Sequence, residues 1–271
     1  MGATEVQTAR RSPNRRGCGR TPKTIAGIAV SVGMVLTIGA CGDDSSDAGS
    51  PASGSTSATS TASTTTTTAV LPTATAAQLV LPEADFPPLA GGKFSLETGP
   101  DDDDSDITVD NPECQDFVKN NDRDEPGVDR AERKIEADIS GGGDQSYTAG
   151  VKKSIDLDYT DNFARILATC AAFGVTIRDD GKDIPARVTM ERITLPGITS
   201  PYNAVRMVVT VVQGTTTVSV VNQLLLGVER GTSFKAGYGL TSTTGPTVGP
   251  DVNTNLVRMF VAQRARIAAA Q

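Results

Sequence analysis

Carboxylates are the largest group of ionisable side chains in this 271-residue chain, which has no His and no Trp. Asp101-Asp102-Asp103-Asp104, followed by Asp106 and Asp110, gathers the hard oxygen donors that calcium takes. A calcium loop of the EF-hand type also needs alternating ligands, a central Gly and a terminal Glu at fixed places. This run lacks them and reads as a solvated acidic loop. Asp156 and Asp158 share one face of an extended segment, but a glycosidase needs carboxylates flanking the sugar, about 5–10 Å apart, and usually aromatic platforms. Four Tyr and no Trp offer few such platforms. Lys152-Lys153-Ser154 puts amines beside a hydroxyl without the Ser-x-x-Lys spacing of a Ser/Lys hydrolase. Gly141-Gly142-Gly143 has neither the spacing nor the Lys-Ser/Thr of a phosphate loop, and reads as a turn. Without His, the commonest general base and every His-ligated zinc or iron site are excluded. No catalytic residue, metal ligand or cofactor site is assigned, and the chain reads as a non-enzyme.

Cys41 is the one position with an assignable chemistry. Arg10, Arg11, Arg15, Arg16, Arg20 and Lys23 precede the apolar run 25–40, and a Ser/Thr/Ala tract follows Cys41. The run is short for a membrane span of about 20 residues and has the order of an export signal. Ile38-Gly39-Ala40-Cys41 resembles the bacterial lipobox. That resemblance implies a diacylglyceryl thioether on Cys41, cleavage before it and further acylation, as by palmitate. One acyl chain holds only marginally, whereas two anchor stably without a transmembrane helix. No twin-arginine pattern accompanies the paired arginines. Residues 1–40 are therefore expected to be a lipoprotein signal peptide. The product is expected to be exported and lipid-anchored on the cell membrane, facing the periplasm or cell wall.

Removing that leader leaves 19 basic against 31 acidic residues, a net charge near −12. Such a balance argues against binding nucleic acid through bulk charge. Of the four Cys, Cys18 leaves with the leader and Cys41 takes lipid, so Cys114 and Cys170 remain. In an oxidising compartment they most simply form one disulfide.

Residues 41–78 hold the lipidated Cys and a Ser/Thr-rich tract, including Thr64-Thr65-Thr66-Thr67-Thr68, too poor in apolar residues to offset its ordering entropy. It is expected to be a disordered tether spanning on the order of 35 Å. Residues 79–271 suffice for a single domain with a core. Within them, Asn111-Pro112-Glu113 marks a helix start. Arg130–Ile139 and Gln145–Leu157 flank the Gly-rich turn. Phe163, Ile166, Leu167, Cys170 and Phe173 fall at helical spacing, with Asp161 as cap and Gly174 as stop. Period-two strands follow over Pro185–Leu195, Tyr202–Val212, Thr217–Val228 and Ser233–Leu240. The second and third are apolar enough to be central. Val252, Leu256, Met259, Phe260 and Ile267 form a C-terminal amphipathic helix. The expected fold is α+β, an antiparallel sheet with two or three packed helices.

The Thr-rich tract, then Leu81-Pro82-Glu83-Ala84-Asp85-Phe86-Pro87, a Cys, a helix bearing the second Cys, and a Val-rich hairpin after Leu195-Pro196-Gly197, together resemble a known arrangement. It is that of actinobacterial, mycobacterial-type lipoproteins whose domain is similar to the extracellular sensor domain of PknH-type serine/threonine kinases. Those sensors generally hold two disulfides and follow a transmembrane helix, whereas this chain offers one disulfide and a lipid anchor. The resemblance implies an envelope domain with a cleft for an unidentified ligand and transfers no site residue. The expected function is non-catalytic binding of an envelope ligand or protein. An envelope lipid carrier with an apolar pocket, and a hydrolase with an unrecognised site, are the alternatives.

Overall fold

Val-, Leu- and Thr-rich runs separated by Gly turns make most of this molecule a sheet. The computed structural model describes residues 70–99, 106–115, 127–140, 142–155, 162–179 and 182–271. The strands are β1 (Lys93–Thr98), β2 (Asp106–Val109), β3 (Arg130–Asp138), β4 (Gly143–Lys152), β5 (Ala172–Asp179), β6 (Lys182–Arg192), β7 (Asn203–Gln213), β8 (Thr216–Glu229) and β9 (Thr232–Ser242). They form one nine-stranded sheet in the order β1-β3-β4-β9-β8-β7-β6-β5-β2, and each adjacent pair is antiparallel. The helices are α1 (Ala76–Leu79), α2 (Phe163–Thr169) and α3 (Asp251–Ala269), with one helical turn over 112–115. The class is α+β.

Turn chemistry sets the hairpins. Gly214 turns β7 into β8 with φ 61°, and Arg230 (φ 50°) with Gly231 (φ 70°) turns β8 into β9. Two successive residues at positive φ match the right-handed twist of the flanking strands. Pro185 sits inside β6, where the β7 ladder has not yet begun; that ladder starts at Ala186 opposite Val211.

The two faces are covered at opposite halves. On one face, α3 and α1 lie over β3, β4, β9 and β8, and Leu256, Met259 and Phe260 pack with Val221, Leu225, Phe234 and Ala236. On the other, α2 and the 112–115 turn cover β5, β6, β7 and β2, and Phe163, Ile166 and Cys170 join Val175, Val188, Met207 and Val209. β8 lies in both halves. Its odd residues Val221 and Leu225 belong to the first cluster, and Val220, Leu224 and Leu226 to the second. Its apolar residues of both parities, interrupted at Asn222 and Gln223, follow from coverage on both faces.

Three sequence expectations need correction. The helix at 163 ends at Thr169 instead of running to Phe173, because Phe173, Val175 and Ile177 continue with period two as β5. Gly174 is a strand residue, not a stop. A Cβ there would lie 2.6 Å from the Asp110 carboxylate, which accepts the Gly174 N–H at 2.9 Å. Asn162 is the N-cap, without a side-chain hydrogen bond, and Asp161 lies outside the described residues. The edge strands β1 and β2 were not anticipated.

Ordered contacts begin upstream of Leu79. Thr75 caps α1 through a capping box with Gln78, and Thr73 N–H donates to the Gln271 carbonyl at 2.7 Å. The 79–81 segment is held by Gln263, whose Nε2 donates to Leu79 O and whose Oε1 accepts from Leu81 N, both at 2.9 Å. Arg266 donates to Gln78 O at 2.7 and 3.1 Å, and Arg133 to Leu81 O at 2.6 Å.

Candidate functional site

The antiparallel register lines up one residue per strand into transverse rows. One row on the α3 face reads Glu191 (β6), Arg206 (β7), Gln223 (β8), Tyr238 (β9), Tyr147 (β4), Ile135 (β3) and Phe94 (β1). Among apolar neighbours this polar stretch needs an explanation, because a buried polar group without a partner costs about 1–3 kcal/mol.

Part of the row is internally satisfied. Arg206 Nη1 donates to Glu191 Oε1 at 3.1 Å, and Nη2 donates to the Pro246 carbonyl at 2.8 Å, in the loop leading into α3. Asn255 Nδ2, in the second turn of α3, donates to Tyr147 Oη at 3.1 Å. The Tyr147 and Tyr238 rings are 5.1 Å apart and tilted by 55°. Burial pushes the Tyr238 phenol up to about 12, with neighbouring Tyr147 adding to the shift. Burial likewise raises Tyr147, and Asp251 adds to it. Both therefore stay protonated near neutral pH and act as hydrogen-bonding hydroxyls, not bases.

Two groups in the row have no partner. Arg206 Nε is buried without an acceptor, and Gln223 Oε1 is buried without a donor. Gln223 is 6 % exposed, and it stands directly opposite Arg206. An unpaired donor and an unpaired acceptor thus sit on two residues that face each other across β7 and β8. A group offering an acceptor beside a donor, such as a secondary amide or a hydroxyl, would satisfy both.

The opposite face of β3, β4 and β9 carries a second polar strip. Lys235 is 6 % exposed and pairs with Glu132 at 2.5 Å, its stem lying over Gly150. Thr241 Oγ1 donates to Asp144 Oδ1 at 3.4 Å. Burial, then the charge of Glu136, raises the Asp144 carboxyl. Gly237 and Gly239 leave room for the Thr148 and Ser146 hydroxyls, which lie 2.4 and 2.8 Å from where a Cβ would stand. The strip holds its own ion pair and hydrogen bond and leaves a buried orphan, Asn222 Nδ2 beside Gly239, whereas the Arg206–Gln223 row leaves two on paired residues and is the stronger candidate.

No protein-family model matches the chain, and no curated protein matches it. Among solved structures it is similar to an uncharacterised protein of Mycobacterium smegmatis, the Rv0999 ortholog. That match has 15% identity and a TM-score of 0.37, over 69% of this chain and 93% of that one. At that level the likeness carries no argument about fold or function.

Of the residues singled out from sequence, Cys114 and Cys170 are brought together as a disulfide with Cα atoms 5.6 Å apart. Cys114 sits in the 112–115 turn, opened by Asn111 Oδ1 accepting from Glu113 N at 3.1 Å, and Cys170 caps the end of α2. Both are buried in the second cluster, so the bridge ties the helical cover together. Cys41, the acidic run 101–104, Asp156 and Asp158 lie outside the described residues. Asp110 binds the Gly174 backbone, and Lys153 lies 3.9 Å from Asp129. Arg206 and Gln223 were given no site role from sequence, each lying within a run expected to be a central strand. The signal that could have singled them out is a polar pair inside two otherwise apolar central strands.

Proposed function

We propose that the protein is a lipid-anchored envelope lipoprotein, exported and held by Cys41. Its α+β domain binds a ligand without transforming it. The adjacent orphans, Arg206 Nε and Gln223 Oε1, carry this reading. They ask for one complementary group, and the protonated tyrosines beside them supply hydrogen bonds but no base. The lipid-carrier alternative is weakened because the apolar side chains of β7 and β8 are taken up in packing against the helical layers. The hydrolase alternative draws no support from the hydroxyl–carboxylate contact of Thr241 with Asp144, whose 3.4 Å is long for activating a nucleophile. The finer likeness, to the extracellular sensor domain of PknH-type kinases, belongs to the same proposal. The order of Thr-rich tract, Leu81–Pro87 segment, two joined Cys and Val-rich β7–β8 hairpin supports it.

Thermal unfolding of the mature protein in detergent, titrated with N-acetylglucosamine as a probe bearing both an amide and hydroxyls, tests the binding site. The melting temperature should rise with probe in the wild type and not in Gln223→Leu. Equal shifts in both, or none at millimolar probe, would remove the site. Anchoring is tested separately by acyl labelling. Cys41→Ala should lose the label and accumulate as precursor, and continued labelling would overturn it.

A further inference from the structure

One edge of the sheet is built to meet its own image. β1 pairs with β3 on one side and ends the sheet on the other, and all six of its residues are exposed. An open edge presents unpaired backbone N–H and C=O groups, which proteins usually blunt with charged side chains, especially Lys, or with Pro. β1 is Lys93-Phe94-Ser95-Leu96-Glu97-Thr98, with no Pro and with charges of opposite sign.

We infer that β1 docks a second copy of this chain, antiparallel and about a two-fold axis through Ser95, so that two sheets become continuous. That symmetry sets Lys93 against Glu97 of the second copy, and Phe94 against Leu96. The pairing is isologous, so each favourable contact occurs twice. A charge placed to prevent pairing would meet its own sign across the axis; here each meets the opposite one.

The surroundings of β1 favour this occupant on both faces. On one face Glu97 stands directly opposite Glu132, and Glu132 is already committed to Lys235 at 2.5 Å. Like charges facing each other across strands are unfavourable, and Glu97 has no ion-pair partner among the described residues. Lys93 of the second copy would lie on its free side and neutralise it. On the other face Phe94 and Leu96 are 37 % and 45 % exposed, and Phe94 stacks edge-on against Phe86 at 5.6 Å. Pairing would cover both apolar side chains. Two-fold axes centred on Phe94 or Leu96 would leave Lys93 and Glu97 without each other.

A six-residue strand is about 20 Å long. Alone it buries less than the roughly 1,000 Å² of a stable interface, so the dimer is a weak one. The test therefore uses the purified mature, lipidated protein in detergent at high concentration, in which Cys18 is gone, Cys41 is acylated and Cys114 is paired with Cys170. Ser95→Cys places two thiols across the axis, and mild oxidation should give a disulfide-linked dimer. Thr189→Cys, on the exposed face of β6, should stay monomeric. In sedimentation, Lys93→Glu turns two attractions into two repulsions and should weaken the dimer about tenfold. The swap Lys93→Glu with Glu97→Lys should restore it. A Ser95→Cys chain that stays monomeric, a cross-link matched by Thr189→Cys, or a dimer indifferent to Lys93→Glu would each overturn the inference.

Discussion

Removing the Gln263 carboxamide should release the segment that precedes the sheet. Gln263 has no solvent exposure, and both ends of its amide bind backbone of the 79–81 segment at 2.9 Å. In Gln263→Met the stem volume remains while the Leu79 carbonyl and the Leu81 N–H lose their partners. Leu79 and Leu81 are 2 % and 1 % exposed, so water cannot replace the lost bonds without the segment moving. Each buried orphan costs about 1–3 kcal/mol, giving roughly 2–6 kcal/mol for the pair. Against a total stability of about 5–15 kcal/mol, that is a large fraction.

The loss has two routes, and amide exchange separates them. If the segment stays docked, urea unfolding followed by circular dichroism should show the full decrease. If it detaches, the cost is capped at its docking energy, and the Leu79 and Leu81 amides exchange early while β8 stays protected. Arg266 to Gln78 O and Arg133 to Leu81 O are outer fastenings and more exposed than Gln263. Arg266→Ala should therefore cost about 1 kcal/mol. Gln263→Met within 0.5 kcal/mol of wild type, with the Leu81 amide still protected, would refute the reasoning.

Three further outcomes are expected. Replacing both Cys114 and Cys170 by Ser, which opens a loop of sequence separation 56, should cost about 4 kcal/mol on the chain-entropy estimate, read as a lower urea midpoint. Asp144→Asn should stabilise at pH 7 and matter little at pH 3. The wild-type carboxyl is raised in the fold, so its stability contribution is complete below the unfolded value of 3.8 and is lost as pH rises through the folded value. A variant more stable at pH 3 than at pH 7 relative to wild type would contradict that sign. Gly143→Ala should be far worse than Gly142→Ala in thermal melts. Both have positive φ, but a Cβ on Gly143 would lie 2.0 Å from the Thr241 backbone oxygen, whereas nothing lies within 4 Å of one on Gly142.

Much of the sheet was legible because period and turn signals agreed. Ile135 and Ala137 alternate with charges, Gly214 marks a tight turn, and the apolar runs of β7 and β8 fall at the sheet centre as expected. The helix at 163 was read too long because Phe163, Ile166, Cys170 and Phe173 also satisfy a helical spacing. Cross-strand pairing of Phe173 with Val188 decides the end, and no local pattern contains it. β1 was missed although Phe94 and Leu96 alternate with Lys93, Ser95 and Glu97, because the alternation is only six residues long, and α1 although Thr75 and Gln78 form a capping box, because a single turn is held mainly by packing. The Cys114–Cys170 pair was readable by elimination. The Arg206–Gln223 pair was not, since its meaning depends on two residues being opposite in register and on neither finding another partner.

The offset of the two helical layers explains why the sheet can be long and still leave an edge in use. Each layer covers about half of a face, and β7 and β8 carry apolar residues on both sides. Toward β1 the α3-side cover thins out at Phe86 and Phe94, so β1 is exposed while its neighbour β3 still buries Ala131 and Ile135. At the other end β2 is four residues long and pairs only with β5. A strand that short offers few backbone groups to a further strand, and brevity is itself a protection. The two edges are therefore unequal. β2 ends the sheet by being short, whereas β1 ends it with six exposed residues whose charges and apolar side chains are complementary to their own two-fold image.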